Sequence, residues 1–161
     1  MGTIALSPFH RHHRHGIICN RNPGEHSMAR TIKRQVTLGL VIGSRAFFNG
    51  APCQASREET VAHLERLGIR VITLPFDATV NGAVQSIDDA KLYATYFRRH
   101  RDDIDGLVIC LPNFGDEKGV ADALRLSGLN VPVLVQGYPD GLDELHVQRR
   151  RDAFCGKISV C

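Results

Sequence analysis

From residue 36 onward, short uninterrupted apolar runs alternate with stretches in which apolar residues recur every three or four positions. The first pattern reads as strands buried on both faces, the second as amphipathic helices. Strands are expected at 36–43, 69–74, 106–111 and 131–136. The run Leu107-Val108-Ile109-Cys110-Leu111 has no polar alternation at all, which places it in the middle of a parallel sheet. Between the first two strands, Ser56-Arg57-Glu58-Glu59 reads as a capping box. It opens a helix with Val61, Leu64 and Leu67 on one face and Gly68 just past its end. Residues 75–85 form a longer connection with an Asn81-Gly82 turn signal. The capping pattern recurs at Ser86 to Asp89. Asp88 and Asp89 then stand in the first turn and Arg98, Arg99 and Arg101 in the last, the charge order that suits a helix dipole. A third helix follows the loop 112–117, with Val120, Ala121 and Leu124 inward and Gly128 at its end.

This order of elements predicts a doubly wound, Rossmann/flavodoxin-like α/β sandwich of three layers. Its sheet has about four parallel strands in the order 2-1-3-4, because right-handed crossovers send the first helix to one face and the next two to the other. The chain stops in what reads as the middle of a helix, so the sheet is expected to be incomplete toward the C-terminus. Such sheets take ligands at the carboxyl ends of their strands, near the switch between strands one and three. Two loops matter most on this reading, 44–52 and 112–117.

Residues 1–30 lack a hydrophobic period and contain His10, Arg11, His12, His13, Arg14 and His15. They read as a disordered His/Arg-rich leader, with the folded domain at 31–161 and Met28 as an alternative start of translation. Clustered imidazoles on a flexible segment make a poor preorganised metal site. The leader also changes the meaning of the net charge of +3: residues 1–34 carry six basic side chains against one acidic, and the remainder fourteen against sixteen. The body is therefore mildly acidic, and a nucleic-acid-binding face is not expected. The basic group Arg98-Arg99-His100-Arg101 runs straight into Asp102, Asp103 and Asp105 and reads as a solvated helix end.

No run of about 18 apolar residues occurs, which excludes a transmembrane helix. The leader has no apolar core of signal-peptide length, and the five cysteines are odd in number and irregularly spaced, so a reducing cytoplasm is the expected compartment. Cys110 reads as a small buried hydrophobe.

Nucleotide fingerprints fail, since Gly39 and Gly43 fall within the first strand and no Gly-Lys-Ser/Thr exists. His63, His100 and His146 fall on helices or their ends and build no hydrolase triad. The strand-end loops instead offer Arg45 beside Asn49-Gly50, then Asn113, Phe114, Asp116 and Glu117, then Gln136 and Tyr138. An amide, aromatic and guanidinium set suits a polyol better than a phosphate, because a planar guanidinium fork can grip two vicinal oxygens. The plainer possibility is that Arg45 only pairs with Asp116 or Glu117 across the sheet end.

Three segments carry a resemblance: Val41-Ile42-Gly43-Ser44-Arg45-Ala46-Phe47-Phe48-Asn49-Gly50, Cys110-Leu111-Pro112-Asn113-Phe114-Gly115-Asp116-Glu117, and Phe154-Cys155-Gly156-Lys157-Ile158-Ser159-Val160-Cys161. In order and spacing the chain is similar to the N-terminal part of the L-fucose isomerase / L-arabinose isomerase superfamily over about residues 36–161. The resemblance implies a metal-dependent aldose–ketose isomerase acting on a deoxy sugar or pentose through an enediol, with Mn²⁺ in the complete enzyme and a homo-oligomeric assembly. It also implies that the proton-moving carboxylates and the metal-binding His lie downstream. On that basis this portion carries no catalytic or metal residue and binds no metal. The strand-end loops supply the expected substrate contacts Arg45, Asn113, Phe114, Gln136 and Tyr138, and of these the resemblance implies that Arg45 touches the sugar and Phe114 lies against the sugar of a neighbouring subunit. A free-standing flavodoxin-like ligand-binding or regulatory module is the alternative from another class, and fold alone does not separate the two.

Overall fold

The glycine-punctuated aliphatic run that opens the domain becomes the first strand of a four-stranded parallel sheet. A computed structural model describes residues 34–161, and the leader expected at 1–30 lies outside the described residues. The strands are β1 (Thr37–Ile42), β2 (Arg70–Thr73), β3 (Gly106–Leu111) and β4 (Val133–Gly137), ordered β2-β1-β3-β4. Every neighbouring pair is parallel, with Leu38 facing Val71 and Gly106, and Leu107 facing Val133. Helices α1 (Pro52–Arg66), α2 (Ile87–Arg99), α3 (Glu117–Ser127) and α4 (Ala153–Val160) complete the alternation. Order and direction are those the sequence pattern predicts.

Side chains alternate sides along a strand, so the two central strands divide their apolar residues between two cores. Val41, Leu107, Ile109 and Leu111 meet Tyr93 and Phe97 of α2 and Val120 and Ala123 of α3. Leu40, Ile42, Val108 and Cys110 face the other way, toward Cys53, Val61 and Leu64 of α1. All six residues of β3 are buried, which explains why its sequence is apolar without interruption. Tyr93, fully buried, satisfies its hydroxyl by donating to the Gly82 carbonyl at 2.7 Å.

The helix ends test the expected caps one by one. Ser86 caps α2, accepting from the Asp89 amide at 3.2 Å while the Asp89 carboxylate accepts from the Gln85 amide at 3.0 Å. Asp116 caps α3 through the Gly119 amide, and Gly68 and Gly128 take the left-handed conformation just past α1 and α3. The box at Ser56 is a correction. Helix α1 already begins at Pro52, whose ring presets the first helical residue, and Ser56 sits inside the helix as a buried residue with its carbonyl bonded by the Thr60 hydroxyl. The face of α1 turned to the sheet accordingly starts at Cys53, and Leu67, expected inward, is 64% exposed beyond the helix end. In α3, Ala121 points outward and Ala123 takes the buried position. Strand β4 starts two residues later than expected, since Pro132 has no amide to donate and only its carbonyl joins the sheet, accepting from Leu107 at 2.8 Å.

The two-sided core makes a chemical prediction. Cys53 and Cys110 are fully buried, and burial pushes the Cys110 thiol up to about 12 and raises Cys53 as well, whereas Cys155 and Cys161 are exposed. Iodoacetamide at pH 8 is expected to modify Cys155 and Cys161 at least about tenfold faster than Cys53 and Cys110, read by peptide mass mapping. Equal rates would show that α1 does not cover the sheet.

Candidate functional site

Strands β1 and β3 end side by side, and the helices that follow them leave on opposite faces, so residues 43–51 and 112–116 part at the switch point. The segment after the second strand reinforces this edge, where Val84 donates to the Ile42 carbonyl at 2.8 Å and accepts from the Ser44 amide at 3.2 Å. Both loops are tied by one amide. Asn113, 1% exposed, donates from Nδ2 to Ser44 Oγ at 2.9 Å and to the Asn49 carbonyl at 3.1 Å. Its Oδ1 accepts from the backbone amides of Arg45 and Gly115, both at 3.1 Å. All four hydrogen-bonding capacities of the side chain are thereby spent inside the protein.

Arg45 follows directly. Its Nε donates to the Gly115 carbonyl at 3.1 Å, and Nη2 forms an ion pair with Glu117. The guanidinium carbon lies 4.8 Å from the Phe114 ring centre and 5.9 Å from that of Phe47, close enough for attraction between the cation and the rings. Phe48 stacks on Phe114 with centroids 5.6 Å apart and planes at 24°. The side chain of Arg45 keeps 23% of its surface in contact with solvent, and no hydrogen bond engages Nη1 among the described residues. Of the two carboxylates able to pair with Arg45, Glu117 does so, because Asp116 is turned to the amides of α3 as its cap.

Gln136 and Tyr138 stand elsewhere. The Tyr138 hydroxyl lies 3.2 Å from both Thr60 Oγ1 and the Ser56 carbonyl of α1, and the Arg151 guanidinium is 5.8 Å from its ring. With Glu59, His63, Leu64 and Leu134 these two residues line a groove of about 350 Å³ between α1 and β4. The structure brings Arg45, Asn113 and Phe114 together, and among the described residues no hydrogen bond or ring contact joins Gln136 or Tyr138 to them. Sequence reasoning overlooked Phe47 and Phe48 as part of the cluster, although an aromatic doublet two residues past an arginine at a strand end was a readable signal.

Among the described residues no three His, Cys, Asp or Glu side chains converge on a point that could hold a metal ion. His63 lines the groove, His100 packs on Tyr96 at 4.9 Å between ring centres, and His146 is exposed beyond β4. The donors of the described residues do not by themselves make a site for the divalent cation that the resemblance implies for the complete enzyme. No described helix is long and apolar enough to cross a membrane.

Fold and loops together define a doubly wound α/β domain with an aromatic and guanidinium cluster at its switch point. The family described as "Fucose/sulfoquinovose isomerase, N-terminal domain" matches residues 39–161, and the chain belongs to this family of sugar isomerases. No curated protein matches the chain.

Proposed function

We propose that this domain supplies the substrate-contact and subunit-interface loops of an aldose–ketose isomerase acting on a deoxy sugar or pentose, with the catalytic carboxylates and the metal ligands contributed by other parts of the enzyme. The observation that carries the reading is the placement of Arg45 and Phe114 at the switch point of a domain of this family. Arg45 is held by the Gly115 carbonyl and Glu117, and its part-exposed guanidinium keeps Nη1 without a hydrogen-bond partner among the described residues. The half-buried Phe114 ring, stacked on Phe48 and next to the Arg45 guanidinium, supplies apolar surface of the kind that packs on sugar C–H groups. Asn113 acts as the tie that holds both loops in place. Gln136 and Tyr138 enter the same reading as residues lining the neighbouring groove. A small sugar as substrate, a homo-oligomer, Mn²⁺ as the metal of the complete enzyme and a cytoplasmic location complete the proposal. The 161-residue chain alone is expected to lack isomerase activity.

Kinetics of the domain joined to the downstream part of its enzyme test the reading. Arg45→Ala should lower kcat/KM by about ten- to a hundredfold, the cost of a lost charged hydrogen bond to a ligand of roughly 1.5 to 3 kcal/mol. Arg45→Lys should recover only part of this, since an ammonium cannot reproduce the planar fork. Phe114→Ala should mainly raise KM. If Arg45→Ala left kcat/KM within about twofold while lowering the melting temperature, the ion pair with Glu117 would be structural only and the site would be wrong.

A further inference from the structure

The family joins two substrate chemistries in its description, an uncharged deoxy sugar and a sulfonated one. The Arg45 cluster has a charge balance that bears on which group it can receive. Its one guanidinium already faces the Glu117 carboxylate, and Asp116 stands next to it in the chain. The N-terminus of α3 would otherwise attract an anion, but the Asp116 side chain occupies it by accepting from the Gly119 amide at 2.6 Å. A sulfonate or phosphate arriving at Nη1 would therefore meet a guanidinium whose charge the Glu117 carboxylate already offsets. A pair of neighbouring hydroxyl groups meets the opposite situation. One hydroxyl oxygen can accept from Nη1 while the next hydroxyl donates to the Glu117 carboxylate, whose side chain is 44% exposed although its Oε2, the oxygen facing Arg45, is buried.

We infer that Glu117 is a specificity-determining residue, making the Arg45 cluster a receptor for the vicinal hydroxyls of a sugar and closing it to anionic substituents. This rests on the reading that the cluster touches the sugar. Any sulfonate on a substrate is held away from Arg45, and Glu117 both orients the guanidinium and takes part in the contact.

The test uses the 161-residue chain labelled with ¹⁵N, following the Arg45 side-chain and Gly115 amide resonances during titration with L-fucose and, separately, with methanesulfonate at constant ionic strength. L-Fucose is expected to shift both resonances in a dose-dependent way and methanesulfonate to leave them in place. Glu117→Gln should weaken the L-fucose response by about threefold or more and allow methanesulfonate to move Arg45. Spectra with unchanged dispersion elsewhere report that the variant is folded, and the wild-type comparison needs no variant. A wild-type chain in which methanesulfonate shifts Arg45 as strongly as L-fucose overturns the inference while leaving the cluster a ligand site. So does a Glu117→Gln chain that responds like the wild type. If neither probe moves Arg45, the substrate-contact reading falls and the inference with it.

Discussion

Asn113→Ala is expected to lower stability by about 3 to 4 kcal/mol and the melting temperature by roughly 10 °C. The side chain is 1% exposed and makes four hydrogen bonds, to Ser44 Oγ, the Asn49 carbonyl and the backbone amides of Arg45 and Gly115. Alanine removes all four at once and leaves two backbone amides without the acceptor they have now. Each buried polar group so stranded costs about 1 to 3 kcal/mol, reduced where water can enter through the loop. The loss is also local. Residues 43–51 and 112–116 are joined here chiefly through this amide, so amide exchange should accelerate at Ser44 to Asn49 and at Gly115 far more than in α2, whose core is independent of it. Thermal unfolding and hydrogen exchange check the prediction together. A variant melting within about 2 °C of the wild type would mean that the loops are held by something else.

Gly156→Ala should be comparably damaging, for a steric reason. Helix α4 crosses the β3–α3 loop so closely that a Cβ at Gly156 would overlap the Phe114 carbonyl oxygen and lie 2.7 Å from the Phe114 Cα. Backbone on both sides cannot yield as a flexible side chain would. The helix must lift away, taking buried Ala153 and half-buried Val160 out of the core they share with Leu111 and Val120. Overpacking of this kind costs about 1 to 3 kcal/mol, and displacement of the helix adds to it. Loss of exchange protection across α4 with α2 unaffected is the expected signature, together with a shifted Phe114 ring resonance. Normal protection of α4 in the variant would refute the close approach. The contact also ties the segment 154–161 to the Asn113–Glu117 loop that accompanies it in the family resemblance, through the backbone of Phe114.

How far each part was legible depends on how local its cause is. The order β2-β1-β3-β4 follows from the lengths and spacing of apolar runs and from the handedness of crossovers, both readable along the chain. Ser86, Asp116, Gly68 and Gly128 mark helix ends because capping is a matter of three or four consecutive residues. The box at Ser56 failed since Pro52 starts α1 one turn earlier, and the competing start lay outside the window that the box occupies. Strand β4 shifted because its boundary depends on which Pro132 group the neighbouring strand can use.

The sequence by itself determined the class of the domain, the two loops that matter and the presence in them of an arginine, an amide and an aromatic ring, for these rest on periodicity and on a rule about strand ends. Only the tertiary structure decided how those residues divide the work. Asp116 and Glu117 are neighbours of identical charge, and whichever caps the helix cannot hold the arginine. Asn113 became the tie since burial left its four hydrogen-bonding positions no solvent to turn to. Tyr138 was drawn to α1 instead of Arg45, because β4 lies one strand beyond the switch point and the Tyr138 hydroxyl found its partners at Thr60 and Ser56, and Gln136 lines the same groove. Such choices are made by competition among partners brought together from distant parts of the chain, and no spacing along the chain records which partner wins.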